Sequence, residues 1–171
     1  ELWSRLARAG YASTAWPVGP GGLGASARDL AAVTAVLGSN RVIAPPAGYL
    51  AASLAAPTII SHGRDDQKER YVAAIARGEE AWCQLFSEPG SGSDLASVGS
   101  RAEPDGDEWV VSGQKVWNSA ADKADMGMLL ARTDPDRPKH EGLTFFLIDM
   151  HQPGVEVRPL RQMNGTSAFC E

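Results

Sequence analysis

The chain has 171 residues, of which 43% are hydrophobic and 22% are charged, as in a globular protein with one ordinary domain or two small ones. Its net charge of −5, without a basic cluster, argues against nucleic-acid binding. The longest apolar runs are too short to span a bilayer and no secretory signal opens the chain, so we expect a cytoplasmic protein without a membrane span.

The first eighty residues predict a series of helices. Gly10 is typical of the end of a first helix, and Ser26 with Asp29 predicts the capped start of a second. The apolar stripes of these two helices would consist of Leu2, Leu6 and Ala9, and of Leu30, Val33 and Leu37.

Two further helices follow in the same half. Pro45 and Pro46 suit the first turn of a third helix, which Pro57 should end or kink. The segment DDQKERYVAAIARG predicts a fourth helix with an acidic start and a stop at Gly78. The apolar positions of these helices are Leu50 and Leu54, and Tyr71, Val72 and Ile75.

The stretch GPGGLG fits the dinucleotide-binding pattern G-x-G-x-x-G at Gly19, Gly21 and Gly24. Its surroundings do not fit, because Pro17 interrupts the preceding strand and no acidic residue stands about 20 positions further on. We therefore interpret the stretch as a glycine-rich turn that leads into the helix at Ser26.

After Trp82 the periodicity changes to that of strands. Val98, Ser100 and Ala102 alternate with other residues, and PDGD has the composition of a turn. Short β-type runs follow: EWVVSG, KVWN, MGMLLAR, LTFFLID and VEVRPLR. Helices followed by strands predict an α+β protein, with a helical domain over residues 1–80 and an antiparallel sheet or barrel over 81–171.

Cysteine and histidine usage predicts neither a disulfide nor a metal site. Cys83 and Cys170 follow no paired spacing, so we expect two buried free thiols in a reducing compartment. The three histidines are scattered in loop-like contexts, so we expect no structural or catalytic metal.

The stretch FSEPGSGSDLAS carries the most specific chemistry of the chain. Glu88 and Asp94 bracket a proline and four very small residues, and apolar residues flank the stretch on both sides. Small residues let a backbone approach a ligand closely, and exposed N–H groups with serine hydroxyls can bind a polarised oxygen. We interpret it as a rigid loop that holds a polar ligand; a surface turn is the alternative.

This loop, together with GDEWVVSGQKVWNSAADKADMGMLLARTD and GLTFFLIDMHQPGVEV, resembles the acyl-CoA dehydrogenase family in order, spacing and residue type. The helical first half, with GGLG and HGRDDQKERYVAAIARGE, is similar to the N-terminal domain of that family. The resemblance implies an N-terminal helical domain followed by an antiparallel β-barrel-like middle domain, and FAD as the cofactor.

The resemblance also implies roles for particular residues. Ser93 would face the acyl-CoA substrate, and Glu88 would brace the loop rather than act as a base. Many family members have an aromatic residue in place of Gln84, which leaves the packing at that edge open. The cofactor-binding residues implied are Gln84, Phe86, Ser87, Gly92, Trp117, Asn118 and Ser119.

Members of the family continue with a C-terminal helical bundle that usually supplies the catalytic glutamate. The 171 residues would end inside the β domain, so we assign no catalytic residue here. We expect these residues alone to bind FAD weakly or not at all and to have no dehydrogenase activity.

The function implied is FAD-dependent α,β-dehydrogenation of an acyl-CoA thioester, with electrons passed to an electron-transferring flavoprotein. An acyl-CoA oxidase or a flavin monooxygenase of the same fold is one alternative, and a non-catalytic subunit of a heteromeric dehydrogenase is another. The full-length protein is expected to form a homo- or hetero-oligomer.

Overall fold

A computed structural model describes residues 2–18, 21–44 and 46–171. The chain divides into two compact units, Glu1–Ala81 and Trp82–Glu171. Two residues of the sequence predictions, Gly19 and Pro45, lie outside the described residues. Across the described ranges, no helix is both long and apolar enough to cross a membrane.

The first unit is helical. Its α-helices are α1 (Leu2–Arg8), α2 (Ala27–Ser39), α3 (Pro46–Leu50), α4 (Ala56–His62), α5 (Asp65–Gln67) and α6 (Ala73–Ala76). A π-helical segment, Ala51–Ala55, joins α3 to α4, and a second, Lys68–Val72, joins α5 to α6. Pro57 was predicted to end or kink the third helix, but it does not end the helical region. It lies in the first turn of α4, directly after the π-helical segment, where a missing N–H is tolerated.

The cap of α2 is confirmed, but the predicted apolar stripes are not. Ser26 accepts a hydrogen bond from the backbone N–H of Asp29, whose carboxylate accepts one from the backbone N–H of Ser26. No residue of α2 is buried, and Leu2 of α1 is 56% exposed. The buried residue of α1 is Ala7, whose methyl group lies close to Gly78.

Small side chains dominate the core of this unit. Ala51 and Ala55 are buried, whereas the neighbouring Leu54, an apolar position of the predicted third helix, is 40% exposed. Val72 and Ile75 are buried as predicted. Alanine methyl groups let the helical segments approach closely, so the buried face of each segment is the one that carries alanines. The positions of the large apolar residues do not identify this face.

The described part of the glycine-rich stretch, residues 21–24, has backbone angles typical of a turn. Gly21 and Gly24 have φ of 89° and 59°, which favours glycine. A side chain on Gly22 would overlap the backbone of Trp16. Contacts within the chain therefore account for these glycines without a bound nucleotide.

The second unit contains the strands, which confirms the α+β class. They are β1 (Trp82–Leu85), β2 (Arg101–Asp105), β3 (Glu108–Ser112), β4 (Asn118–Ser119), β5 (Met126–Arg132), β6 (Leu143–Asp149), β7 (Pro159–Leu160) and β8 (Phe169–Cys170). One sheet has the order β1-β5-β2-β3 with β6 also on β5, and the other has the order β4-β8-β7.

The pairing in the second unit departs from the predicted antiparallel barrel in two respects. β1 and β5 are parallel, and a single parallel pair, Arg101 with Arg132, joins β2 to β5. The long connection between β1 and β5 makes this parallel pairing possible. The strands of the described residues form two sheets rather than a closed barrel.

Local strand patterns were predicted more accurately than strand lengths. Val98, Ser100 and Ala102 are all buried, as their alternation predicts, and Gly106 has φ of 61° in the predicted turn. KVWN is extended only at β4, because Trp117 has φ of 65°.

The two cysteines are buried and free, as predicted. Both belong to a core cluster with Leu85, Leu129 and Met150. Burial raises the pKa of the Cys83 thiol to about 12, which keeps it protonated and unreactive at neutral pH.

Two glycine substitutions in the first unit should have opposite effects on stability. Gly22→Ala should lower the free energy of unfolding by about 2 kcal/mol or more, because its methyl group would overlap the backbone of Trp16. Gly38→Ala should raise it by about 0.5–1 kcal/mol, because Gly38 is helical and has open space around it. Urea titration of both variants is the measurement, and equal effects would contradict this account.

Candidate active site

The polar loop begins with a tight turn. The backbone N–H of Glu88 donates to the carbonyl of Ser91 at 2.7 Å, and the N–H of Ser91 donates back to the carbonyl of Glu88 at 3.0 Å. Pro89 and Gly90 are the two central residues of this turn. Pro89 restricts the backbone at the position where the chain reverses, which favours one loop shape.

The Glu88 carboxylate is the centre of the hydrogen-bond network. Its Oε2 accepts from the N–H of Gly99 at 2.7 Å. Its Oε1 accepts from the N–H and the hydroxyl of Ser100, at 2.9 and 2.5 Å, and from Nζ of Lys115 at 2.8 Å. Four donors therefore fix this side chain between the loop and the segment that leads to Trp117.

The pKa of Glu88 follows from this environment. Burial by itself would raise it, but the bonds from Lys115, Ser100 and the backbone N–H groups of Gly99 and Ser100 outweigh burial and lower the pKa to about 2. Burial lowers the pKa of Lys115, an effect that Glu88 offsets only in part. A carboxylate with so low a pKa is a poor proton acceptor near pH 7, which agrees with the loop-bracing role implied for Glu88.

Ser100 also explains a glycine of the second motif. A side chain on Gly113, in the stretch GQKVW, would overlap the side chain of Ser100. Gly113 thus allows Ser100 to reach Glu88, and the two motifs meet at this point. The roles of Ser100 and Lys115 were not predicted from the sequence, because Glu88, their shared partner, lies 12 and 27 residues away along the chain.

The serines around the loop fall into two groups. Ser91 donates to the carbonyl of Asp94 at 2.8 Å, and the Ser97 hydroxyl donates to that of Ser91 at 2.9 Å. The side chains of Ser87, Ser93 and Ser119, in contrast, have no hydrogen-bond partner within the described ranges. The predicted ligand-binding serines are therefore those whose hydroxyls the chain itself does not use.

The two glycines inside the loop, Gly90 and Gly92, have no neighbour among the described residues that requires glycine. Neither Gly90 nor Gly92 has positive φ, and a side chain on either would meet no atom of the described chain within 4 Å. The chain therefore gives no steric reason for glycine at these positions. Open space beside a polar loop is what the close approach of a ligand requires.

Trp117 combines exposure with an unusual backbone. Its side chain is 62% exposed, and φ of 65° is rare for a bulky residue. The indole meets the ring of Phe169 edge to face, with centroids 6.0 Å apart. The strained backbone and this contact present a flat aromatic surface beside the loop.

The neighbours of Trp117 are anchored in the second sheet. Asn118 pairs with Cys170, and Ser119 pairs with Phe169. The Asn118 side chain is 3% exposed, and its Oδ1 has no partner among the described residues. It lines a groove of about 850 Å³ that also contains Lys115 but none of the other predicted site residues.

The remaining predicted residues lie at the end of β1 and in the loop. Gln84 is in β1, level with Met128 of β5, and Phe86 follows with its ring edge-on to Phe145 at 5.7 Å. The N–H of Val116 donates to the carbonyl of Ser87 at 2.9 Å, which brings the two predicted cofactor segments together. Ser93 is exposed and has no described contact with Trp117.

The far side of the loop is held by an ion pair that sequence analysis did not predict. Lys139 donates a hydrogen bond to the carboxylate of Asp94. This bond lowers the pKa of the Asp94 carboxyl and outweighs the smaller opposing effect of desolvation. Arg132 donates to the carbonyl of Ala96 at 2.6 Å. These contacts tie the end of the loop and the residues just after it to the last residue of β5 and to the connection that follows.

Comparison with known families identifies both units. Residues 1–79 match the model of the acyl-CoA dehydrogenase N-terminal domain, and residues 83–171 match that of the acyl-CoA dehydrogenase middle domain. The acyl-CoA dehydrogenase FadE34 of Mycobacterium tuberculosis is 50% identical over 97% of this chain.

Two solved structures are similar in fold. One, described as the Tcur3481-Tcur3483 steroid ACAD, has a TM-score of 0.89 at 30% identity, covering 99% of this chain and 43% of that one. The other is the ChsE4-ChsE5 complex of Mycobacterium tuberculosis, with a TM-score of 0.87 at 34% identity over 98% of this chain and 42% of that one. This chain spans only 23% of FadE34 and less than half of each solved structure.

The low pKa of Glu88 predicts a specific loss of stability in acid. Because the folded pKa of about 2 lies below the ordinary value of 4.5, the stabilisation is complete above about pH 4.5 and is lost as the pH falls towards 2. Glu88→Gln should remove up to about 3 kcal/mol at pH 7 and flatten this dependence. Urea unfolding from pH 7 to 3 is the measurement.

The control is Glu108→Gln, which changes an exposed carboxylate at the start of β3. It should leave both the stability and its pH dependence close to those of the original protein. A Glu88→Gln profile that parallels the original would contradict the assignment.

Proposed function

The chain belongs to the acyl-CoA dehydrogenase family, and from this membership and the geometry of the loop we propose that the full-length protein binds FAD and dehydrogenates an acyl-CoA thioester. The observation that carries the proposal is the division of the serines. Ser87, Ser93 and Ser119 leave their hydroxyls available, whereas the serines that shape the loop are already hydrogen-bonded.

The residues present fit the isoalloxazine of FAD. Backbone groups at Phe86 and the Ser87 hydroxyl would bond the polar edge of the ring, with Gln84 beside them. Trp117 would pack against the ring and Ser119 would bond nearby, while Asn118, whose side chain is buried, would contribute through its backbone. Gly92 would allow the loop to approach the ring, and bound FAD would supply the acceptor for the hydride that leaves Cβ of the substrate.

By the family resemblance, Ser93 would contact the acyl-CoA rather than the flavin, and it lies exposed in the loop. Removal of the α-proton requires a base, and Glu88 is unsuited to that role because four donors and a pKa of about 2 keep it charged. As the family resemblance implies, we place the catalytic base outside these 171 residues, and we expect these residues alone to bind FAD weakly or not at all and to be inactive.

The test of the reaction uses the full-length protein. Anaerobic addition of acyl-CoA thioesters should bleach the yellow flavin absorbance, and both straight-chain and steroid thioesters belong in the panel because one structural relative is described as a steroid ACAD. A yellow protein that no thioester bleaches would contradict dehydrogenase activity. It would favour a non-catalytic subunit.

The electron acceptor is proposed to be an electron-transferring flavoprotein. Reoxidation of the reduced protein in air distinguishes this from oxygen-dependent chemistry. Slow reoxidation by air, together with rapid reoxidation by the flavoprotein, supports a dehydrogenase, whereas rapid reaction with oxygen supports an oxidase or a monooxygenase.

The full-length protein is proposed to assemble with a second subunit of the same family. The support is that one similar structure is described as a ChsE4-ChsE5 complex. Native mass spectrometry of the protein expressed alone and together with candidate partner subunits measures this, and a stable homo-oligomer that exchanges with no partner would contradict a hetero-oligomer.

Two substitutions separate cofactor contact from loop folding. Gly92→Ala should raise the dissociation constant for FAD about tenfold or more, because its methyl group would enter the space assigned to the cofactor. Its unfolding temperature without FAD should stay equal or rise slightly, because alanine restricts the unfolded chain. Gly90→Ala, in equally open space within the turn, is the control and should bind FAD normally. Equal affinities for both variants would contradict the placement of Gly92.

A further inference from the structure

Lys115 and Glu88 are opposite charges that the fold withdraws from water. Their side chains are 7% and 11% exposed, and Nζ lies 2.8 Å from Oε1. A buried ion pair is often no more stabilising than well-packed apolar residues of the same size, because both charges lose their hydration. Stability alone therefore does not account for a lysine and a glutamate at these positions.

Lys115 has a second partner, and it belongs to the predicted flavin segment. Its Nζ donates to the carbonyl of Phe86 at 3.1 Å. The peptide bond is planar and trans, so a carbonyl and the N–H that follows it point in opposite directions. By fixing the carbonyl of Phe86, Lys115 also fixes the direction of the Ser87 N–H, and with it the plane from which the Ser87 side chain departs.

The same lysine stands two residues before Trp117. Val116, between them, is nine-tenths buried, and its N–H donates to the carbonyl of Ser87. Lys115 and Val116 thus make two successive hydrogen bonds, to the carbonyls of Phe86 and Ser87, that hold the backbone leading to Trp117 beside the backbone of Ser87. A shift of Lys115 would move both groups relative to each other.

We propose that Lys115, held in place by Glu88, is a positioning residue. It fixes the position of the Phe86–Ser87 peptide relative to the Trp117 ring, so that both can contact a bound flavin. This inference rests on the proposed binding of FAD. Glu88 orients the ammonium group so that one of its protons meets the Phe86 carbonyl, and Ser100 and Gly99 in turn orient Glu88. Neither charged side chain needs to touch the cofactor.

The experiment compares variants of the full-length protein. Lys115→Met removes the charge and all three donors while keeping a side chain of similar length. The double variant Lys115→Met/Glu88→Gln also removes the opposing charge, so it avoids an unpaired buried carboxylate if the single variant does not fold. The control is Lys139→Met, because Lys139 also pairs with a carboxylate of the loop, Asp94, but does not reach Phe86.

Three measurements are made on each variant: the dissociation constant for FAD, the visible circular dichroism of the bound flavin and its reduction potential. We expect the Lys115 variants to bind FAD about tenfold more weakly and to show a changed visible dichroism and potential in the molecules that remain loaded. Lys139→Met should match the original protein in all three. A purely structural role would lower the unfolding temperature and leave the dichroism and potential of loaded protein unchanged.

The outcomes separate the two proposals. If the original full-length protein binds no FAD, the proposed function fails and this inference fails with it. If the original binds FAD and the folded double variant has the same affinity, dichroism and potential, the proposed function stands and the positioning role is wrong. A change of equal size in Lys139→Met would also overturn the inference, because it would trace the effect to general disturbance of the loop.

Discussion

Glu88 remains charged in a largely buried position only because four donors surround it. These donors come from two stretches that are separate in sequence, the residues just after the loop and the segment before Trp117. A buried carboxylate without such partners would be strongly destabilising, so the fold must bring them together. The placement of Phe86 and Ser87 relative to the segment before Trp117 depends on this arrangement.

The network explains why small residues at the site have two different origins. Gly113 must lack a side chain because Ser100 occupies the adjoining space, and this is a requirement of folding. Gly92 lies in open space with ordinary backbone angles, so folding does not require it to be glycine. Both would be described as motif glycines, yet only the second is expected to matter through a ligand.

The strained conformation of Trp117 fits the same interpretation. A positive φ at a bulky residue is unfavourable and persists where surrounding structure determines it. Here the restraints are the pairing of Asn118 and Ser119 with β8 and the contact with Phe169. The result is an exposed aromatic surface beside a hydrogen-bonded loop with unused hydroxyls, an arrangement suited to a flat, polar-edged cofactor.

The sequence correctly predicted the features that depend only on residues close together along the chain. The cap at Ser26, the turns at Gly21 and Gly106, and the buried alternation of Val98, Ser100 and Ala102 depend on neighbouring residues. Leu2 and Ala9 of the predicted α1 stripe are exposed, because a helix buries the face that its partners can approach closely. In this unit that face is lined by alanines.

The sequence by itself determined the order of helices and strands, the family resemblance and the two segments that form the candidate site. Only the tertiary structure decided the parallel pairing of β1 with β5, the partners of Glu88 and the edge-on contact between Trp117 and Phe169. These contacts join residues between 11 and 52 positions apart, a separation over which composition and periodicity carry no information about which residues meet.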